Sequence, residues 1–303
     1  MWVIDQRPKI PLNPPLGKGE VSRLQTHRSR PKCRTSARTS PFEKGGRRGI
    51  CSVAAIAAAS LLHLPTQATP CKGTLYLTVD TGHMGPAEEM AATLNKHQVK
   101  ATFFLANERT KRGDGSLEPS WASYWKARAS EGHAFGSHTW DHWKFVRDIG
   151  ATQVVYAAGK QSKTLDRDGV CAELKKSEEA FKAMTGRGYD GLWRAPGGKT
   201  TPNVLKFAES CGFKHVGWSP AGFSGDELPS DKYPSNQLIA QQLRSLRDGD
   251  ILLWHLGIWS RKDPLYPHLD ALIGGLKAKG FCFAPMTAHP AYRAPAGADA
   301  ARR

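Results

Sequence analysis

The sequence holds no Cys-x-x-Cys pair, no apolar run near the roughly 20 residues a membrane-spanning helix needs, and few acids, 27 Asp+Glu against 43 Lys+Arg. The first absence argues against a structural zinc knuckle, and the second against a retained membrane anchor. The third invites a nucleic-acid reading until the charge is located. Residues 1–68 carry 12 Lys+Arg and 3 Asp+Glu, so the formal charge falls from +16 for the whole chain to +7 beyond them. No basic stripe recurs on the later helical segments, which argues against a nucleic-acid partner.

The basic end has its own logic. Arg47 and Arg48 precede the small, apolar run GICSVAAIAAASLLHL, and Thr66-Gln67-Ala68 follows with small residues where a signal peptidase reads. Residues 46–68 therefore read as a secretory signal peptide, and residues 1–45, rich in Pro, Gly and charge, as disordered or as a mis-called N-terminal extension. Residues 69–290 form the expected domain, and residues 291–303 a flexible tail. A periplasmic or secreted monomer, with no stable membrane insertion after cleavage, is the expectation. Four cysteines remain, Cys71, Cys171, Cys211 and Cys282, an even number suited to an oxidising compartment. Three pairings are open. Cys71 with Cys282 is favoured, because both flank strand-like runs that a closed barrel would bring together.

Strand-like runs fall at residues 74–79, 100–105, 133–136, 192–194, 214–218, 251–255 and 281–284, and helical patterns separate most of them. Helix boundaries are marked by Thr201-Pro202 at a start and by Gly186, Gly212 and Gly280 just past ends. Seven strands alternating with helices predict a parallel α/β architecture, a barrel or a doubly wound sheet. Residues 144–170 show little periodicity and read as an insertion over the rim, a lid or subsite wall.

In such folds ligands gather at the carboxyl ends of the strands. Asp80 closes the first strand in LTVDTG, Arg194 closes the fourth in RAPGG, and His255 closes the sixth in ILLWHLG. Each alone has an ordinary explanation: a turn cap, a surface ion pair, a core histidine. His138 and His142 in HTWDH say more, since a spacing of four sets two imidazoles on one helical or turn face, within reach of one divalent ion. Five of the nine tryptophans, Trp140, Trp143, Trp193, Trp254 and Trp259, stand within four residues of these polar groups. Flat apolar rings there suit a sugar face, and Trp140, Trp193, Trp259 and the neighbouring Pro196 are the candidate substrate contacts.

In these motifs the chain resembles the polysaccharide deacetylases of the NodB type, carbohydrate esterase family 4. LTVDTG is similar to the first motif, Thr-Phe-Asp-Asp-Gly; GHAFGSHTWDH to His-x-x-x-His; LWRAPGGKT to Arg-x-Pro; and GDILLWH to Leu-x-His. The resemblance implies a distorted (β/α)7-type barrel, a carbohydrate polymer or oligomer as substrate, and N-acetyl hydrolysis. It assigns Asp80 as base, Arg194 as the group orienting it, His138 and His142 as metal ligands, and His255 as acid. Main-chain N–H groups after the first or third motif would complete an oxyanion pocket.

Two departures qualify the match. The family's second aspartate, the third metal ligand, falls on Thr81, whose neutral hydroxyl is a weak donor. A divalent metal, zinc first, would then be held weakly or not at all. Three repairs would complete the site: water held at Thr81, Asp80 itself, or His83, whose alternative reading is a turn histidine. After Trp218 the family's paired aspartates are missing, and Asp226 is the nearest carboxylate to orient His255. The alternatives to a deacetylase are a metal-independent hydrolase of another amide or O-acetyl ester, and a carbohydrate-binding pseudoenzyme.

Overall fold

The first strand, β1 (Gly73–Asp80), is buried on both faces, as a run of Leu, Tyr, Leu and Val between Thr residues dictates for the centre of a parallel sheet. The computed structural model describes residues 70–293; the signal-peptide and N-terminal expectations, and the tail beyond residue 293, lie outside them. The described chain continues through α1 (Ala87–Lys96), β2 (Thr102–Leu105), α2 (Ala122–Ser130) and β3 (Ala134–Ser137). Then come β4 (Lys144–Ile149), β5 (Gln153–Ala158), β6 (Gln161–Leu165), α3 (Arg167–Thr185), β7 (Leu192–Trp193) and α4 (Pro202–Ser210). The rest is β8 (Lys214–His215), α5 (Ser235–Ser245), β9 (Ile251–His255), α6 (Leu269–Ala278) and β10 (Phe281–Phe283).

All seven expected strands are present and parallel, in the order β10-β1-β2-β3-β7-β8, with β9 also paired to β1 from Tyr76↔Ile251 to Asp80↔His255. The sheet curls until the chain beyond β8 meets β9 again through the bridge Phe223↔Leu253. This is the distorted α/β barrel expected, its sheet meeting β9 through irregular contacts that include Ser219 N–H donating to Ile251 O at 3.1 Å. The helices pack outside, burying Leu94 of α1, Phe181 of α3, Val204 of α4 and Leu276 of α6 against the strands. Thr201 caps α4 by accepting from the Val204 N–H, and Gly186, Gly212 and Gly280 all take positive φ at helix ends.

Two disulfides join Cys71 to Cys282 and Cys171 to Cys211. The first ties the head of β1 to β10, where Thr74 is in register with Cys282.

Residues 144–165 correct the sequence reading. They form a second sheet, the antiparallel meander β4-β5-β6. Its period-two signal is weak for physical reasons: β4 shifts register between Phe145 and Arg147, and β6 keeps almost every side chain in solvent. Only Phe145, Val154 and Tyr156 turn inward. Helix α3 also begins inside the stretch 144–170 that shows little periodicity, because Asp166 caps it through the Gly169 N–H at 2.9 Å.

Candidate active site

The carboxyl ends of the parallel strands deliver the polar groups in register. Asp80 is paired with Phe104 on one side and His255 on the other, so base and acid candidates are in-register neighbours on adjoining strands. Arg194 follows the last residue of β7 and has no exposed surface. Its guanidinium donates from Nη1 to Asp80 Oδ1 at 2.8 Å, from Nε to Val216 O at 3.1 Å and from Nη2 to Gly217 O at 3.0 Å, and it lies over the Phe104 ring. One Asp80 oxygen is thus engaged. The other, Oδ2, stands 3.5 Å from His138 Nε2.

The two-histidine segment is a turn. Thr139 and His142 adopt left-handed backbone at φ 65° and 56°, a conformation that costs energy for residues with a Cβ and that clusters at functional sites. The meander holds it: Tyr156 OH donates to Thr139 Oγ1 at 2.8 Å, Trp143 N–H donates to Tyr156 OH at 3.1 Å, and His142 N–H donates to Thr139 Oγ1 at 3.1 Å. Tyr156 and its strand were not foreseen, although the apolar run Val154-Val155-Tyr156-Ala157-Ala158 is a signal that could have found them.

His138 Nε2 and His142 Nε2 face each other at 3.2 Å. His138 Nδ1 lies 2.8 Å from the Arg194 carbonyl oxygen, an acceptor only, so Nδ1 carries the proton and Nε2 a lone pair. His142 Nδ1 lies 3.4 Å from Glu108 Oε1, which biases that ring the same way. Burial first, and then the neighbouring His142 ring, hold His138 well below the usual imidazole range, in the neutral form that ligates metals. That contact is a hydrogen bond when one of the two nitrogens carries a proton; with both lone pairs turned inward the same separation suits a cation, since nitrogens about 2.0–2.1 Å from a tetrahedral ion lie about 3.3 Å apart. The pair therefore fits a divalent ion. The third donor is the weak point. Thr81 is buried, and its Oγ1 already accepts from the Ala106 N–H at 3.1 Å. Among the described residues, no three His, Cys, Asp or Glu side chains converge as a metal cage.

Asp226 reaches His255 as expected, with Oδ1 3.0 Å from Nδ1 and Oδ2 accepting the backbone N–H at 2.9 Å. Burial pulls this imidazole down, but the carboxylates of Asp226, Asp80 and Glu227 push it up to about 10, so it carries its proton through neutral pH. Glu227, 3.6 Å from His255 Nε2, was not foreseen, and no motif marks it.

His83 takes the turn reading: its Nδ1 accepts from the Gly85 N–H at 3.0 Å and its ring meets Trp259 edge-on. Together with His255, Asp226, Lys111 and Tyr266 it lines a cavity of about 320 Å³. A larger open groove, about 1030 Å³ around Lys182, Tyr189 and Gly212, includes none of these residues.

The substrate candidates divide. Trp259 is 61% exposed at the rim, and Trp140 is half-buried with Lys176 Nζ over its ring at 4.4 Å. Trp193 is a correction: it is fully enclosed, edge-on to Phe145 and His215, and has no surface to offer a sugar. Its side chain alternates inward from a two-residue strand, which proximity to Arg194 in sequence does not reveal. Pro196 is likewise buried, at the head of the turn Pro196–Gly198. In the oxyanion stretches, Thr81 N–H is engaged by Phe104 O and Gly198 N–H by Ala195 O.

The family model for polysaccharide deacetylases matches residues 67–216. A chitooligosaccharide deacetylase from Azorhizobium caulinodans is 25% identical over 240 residues, 75% of this chain and 99% of that protein. A peptidoglycan-N-acetylglucosamine deacetylase from Bacillus cereus is 25% identical over 216 residues, 71% of this chain and 67% of the other. In fold, the chain is similar to a family 4 carbohydrate esterase from Streptomyces lividans solved with acetate, at 20% identity and a TM-score of 0.54, covering 75% and 98% of the two chains. It is similar also to a CE4 family pseudoenzyme from Bacillus anthracis, at 21% identity and a TM-score of 0.55, covering 73% and 66%.

Proposed function

The chain belongs to the polysaccharide deacetylase family, and from that premise we propose that it removes acetyl groups from N-acetylhexosamine units of a polysaccharide or oligosaccharide. It is then a hydrolase of non-peptide carbon–nitrogen bonds. One observation carries the reading: Asp80 and His255 are register partners on adjacent strands, one held by a guanidinium and the other by a carboxylate. A carboxyl group and an imidazole held side by side are what a hydrolase needs for a base and an acid acting at one bond.

Asp80 Oδ2, the oxygen not held by Arg194, takes the proton of the attacking water. His255, fixed through Nδ1 by Asp226, presents Nε2 to the departing nitrogen and donates its proton as the amine leaves. Arg194 keeps Asp80 aimed, because withdrawing its oxygen from the fork would leave a buried guanidinium unpaired. His138 and His142 would hold a divalent ion, zinc by donor type, whose contribution when bound is Lewis-acid polarisation of the acetyl carbonyl. Trp259, exposed beside His83, offers a sugar ring an apolar face.

Two disulfides support an oxidising location, periplasmic or secreted, and among the described residues no helix is long and apolar enough to cross a membrane.

The test is acetate release from N-acetylglucosamine oligomers and from peptidoglycan, with and without a chelator. Release that chelation abolishes and zinc restores is expected. No release from either substrate would overturn the reading, and chelator-resistant release would turn it to the metal-independent hydrolase.

A further inference from the structure

Glu108 lies in the loop after β2, and no motif points to it. Its Oε1 is 3.4 Å from His142 Nδ1, and its Oε2 is buried without a hydrogen-bond partner among the described residues. A carboxylate oxygen left dry in this way is costly unless the charge itself is useful.

The direction of the contact decides what that use is. Glu108 meets the Nδ1 edge of the ring, whereas His142 Nε2 is the nitrogen that faces His138. The carboxylate is therefore on the far side of the imidazole from the space between the two histidines, and is not placed to ligate there. From the far edge it does two other things. It favours the tautomer with the proton on Nδ1, leaving the Nε2 lone pair free, and it makes the ring a stronger donor.

We propose that Glu108 is a positioning residue for the metal-holding pair, supplying through His142 the negative charge that Thr81 does not. Two neutral imidazoles and a hydroxyl neutralise none of a divalent ion's charge. An anion 3.4 Å from one imidazole returns part of it without entering the coordination sphere. The loop geometry supports a fixed rather than incidental contact. The Glu108 N–H donates to Ser116 Oγ at 3.2 Å and its carbonyl accepts from Ser116 N–H at 2.9 Å, so the backbone that presents the carboxylate is bonded on both sides.

This inference rests on the reading of His138 and His142 as metal ligands, and the experiment separates the two. Zinc affinity is measured by calorimetry on chelator-treated protein for the unmodified chain, for Glu108→Gln and for Glu108→Ala, and the His142 tautomer is read from ring ¹⁵N shifts in the zinc-free protein. Glu108→Gln keeps the shape and removes the charge. It should weaken zinc about 10- to 100-fold, with Glu108→Ala at least as weak, and should shift His142 toward the Nε2–H tautomer with little change in melting temperature. Zinc binding unaffected by the substitution, or an unchanged tautomer, would overturn the role of Glu108 alone. An unmodified chain that takes up no zinc would overturn the metal reading and this inference with it.

Discussion

Asp226 holds His255 at two points, its Oδ2 on the backbone N–H at 2.9 Å and its Oδ1 at 3.0 Å from ring Nδ1. The second bond fixes the tautomer and the first fixes the distance of the carboxylate from the strand, so the ring has one orientation. The charge effect follows. Burial lowers this imidazole, yet Asp226 and the other carboxylates raise it from 6.5 to about 10. A folded value above the unfolded one means that the stability due to the ion pair is complete below about pH 6.5 and is lost as pH rises through about 10. The proton needed by a general acid persists over the same range.

Asp226→Asn should bring the basic limb of the pH–rate profile down toward neutrality by more than a unit and reduce turnover at pH 8 on the order of 10²-fold. The titration of His255, followed by NMR, should move with it. A basic limb and a titration that stay in place would remove Asp226 from this role.

Arg194 is a different kind of support, since it is fully buried and bonds to one carboxylate and two carbonyls. Arg194→Met would leave all three acceptors without a donor, at a cost of roughly 3–5 kcal/mol, or a melting temperature lower by about 10 °C in a domain of this size. Arg194→Lys should recover little of the loss, because an ammonium cannot span a fork of three acceptors. Calorimetric melting of both variants is the measurement, and a Lys variant that melts like the unmodified protein would contradict the account.

Much of this was legible in the sequence. The parallel strands are short apolar runs, and burial on both faces is what removes their alternation, so each could be found and the residues at its carboxyl end inspected. Asp226 was within reach of the same logic, as the nearest carboxylate after Trp218. Glu108 and Glu227 were not, because no motif marks either of them and nothing in their sequence surroundings sets them apart from a solvated loop acid. Trp193 was misplaced because sequence proximity says which residue lies near Arg194, but not which way a side chain leaves a strand. The meander escaped because one strand has a bulge and another has no buried face.

The Cys71–Cys282 bond links positions 211 apart and thereby tethers β1 to β10. Chain-entropy reasoning gives a loop of that length on the order of 5 kcal/mol, against about 4 for the 40-residue separation of Cys171 and Cys211. Replacing Cys71 and Cys282 together by Ser should therefore lower the melting temperature by about 10 °C or more. Equal melting of the variant and the oxidised parent would mean that the bond adds nothing to stability.

Thr81 offers the sharpest test of the site, because one substitution should have opposite effects with and without zinc. Thr81 is 1% exposed beside Asp80, which is 2% exposed, and its Oγ1 accepts from the Ala106 N–H. An aspartate there can keep that bond through one oxygen while adding a charge. In zinc-free protein the new carboxylate is a second buried anion next to Asp80 with no added cation, so Thr81→Asp should melt several degrees below the parent. With zinc present the same charge becomes a ligand. Each tenfold gain in affinity adds about 1.4 kcal/mol to the folded state at saturating metal, which is about 3–5 °C here. The zinc-induced rise in melting temperature should thus be larger in Thr81→Asp than in the parent. Equal rises in the two proteins would mean that position 81 does not face the ion, and that the charge missing from the first motif is not what limits metal binding.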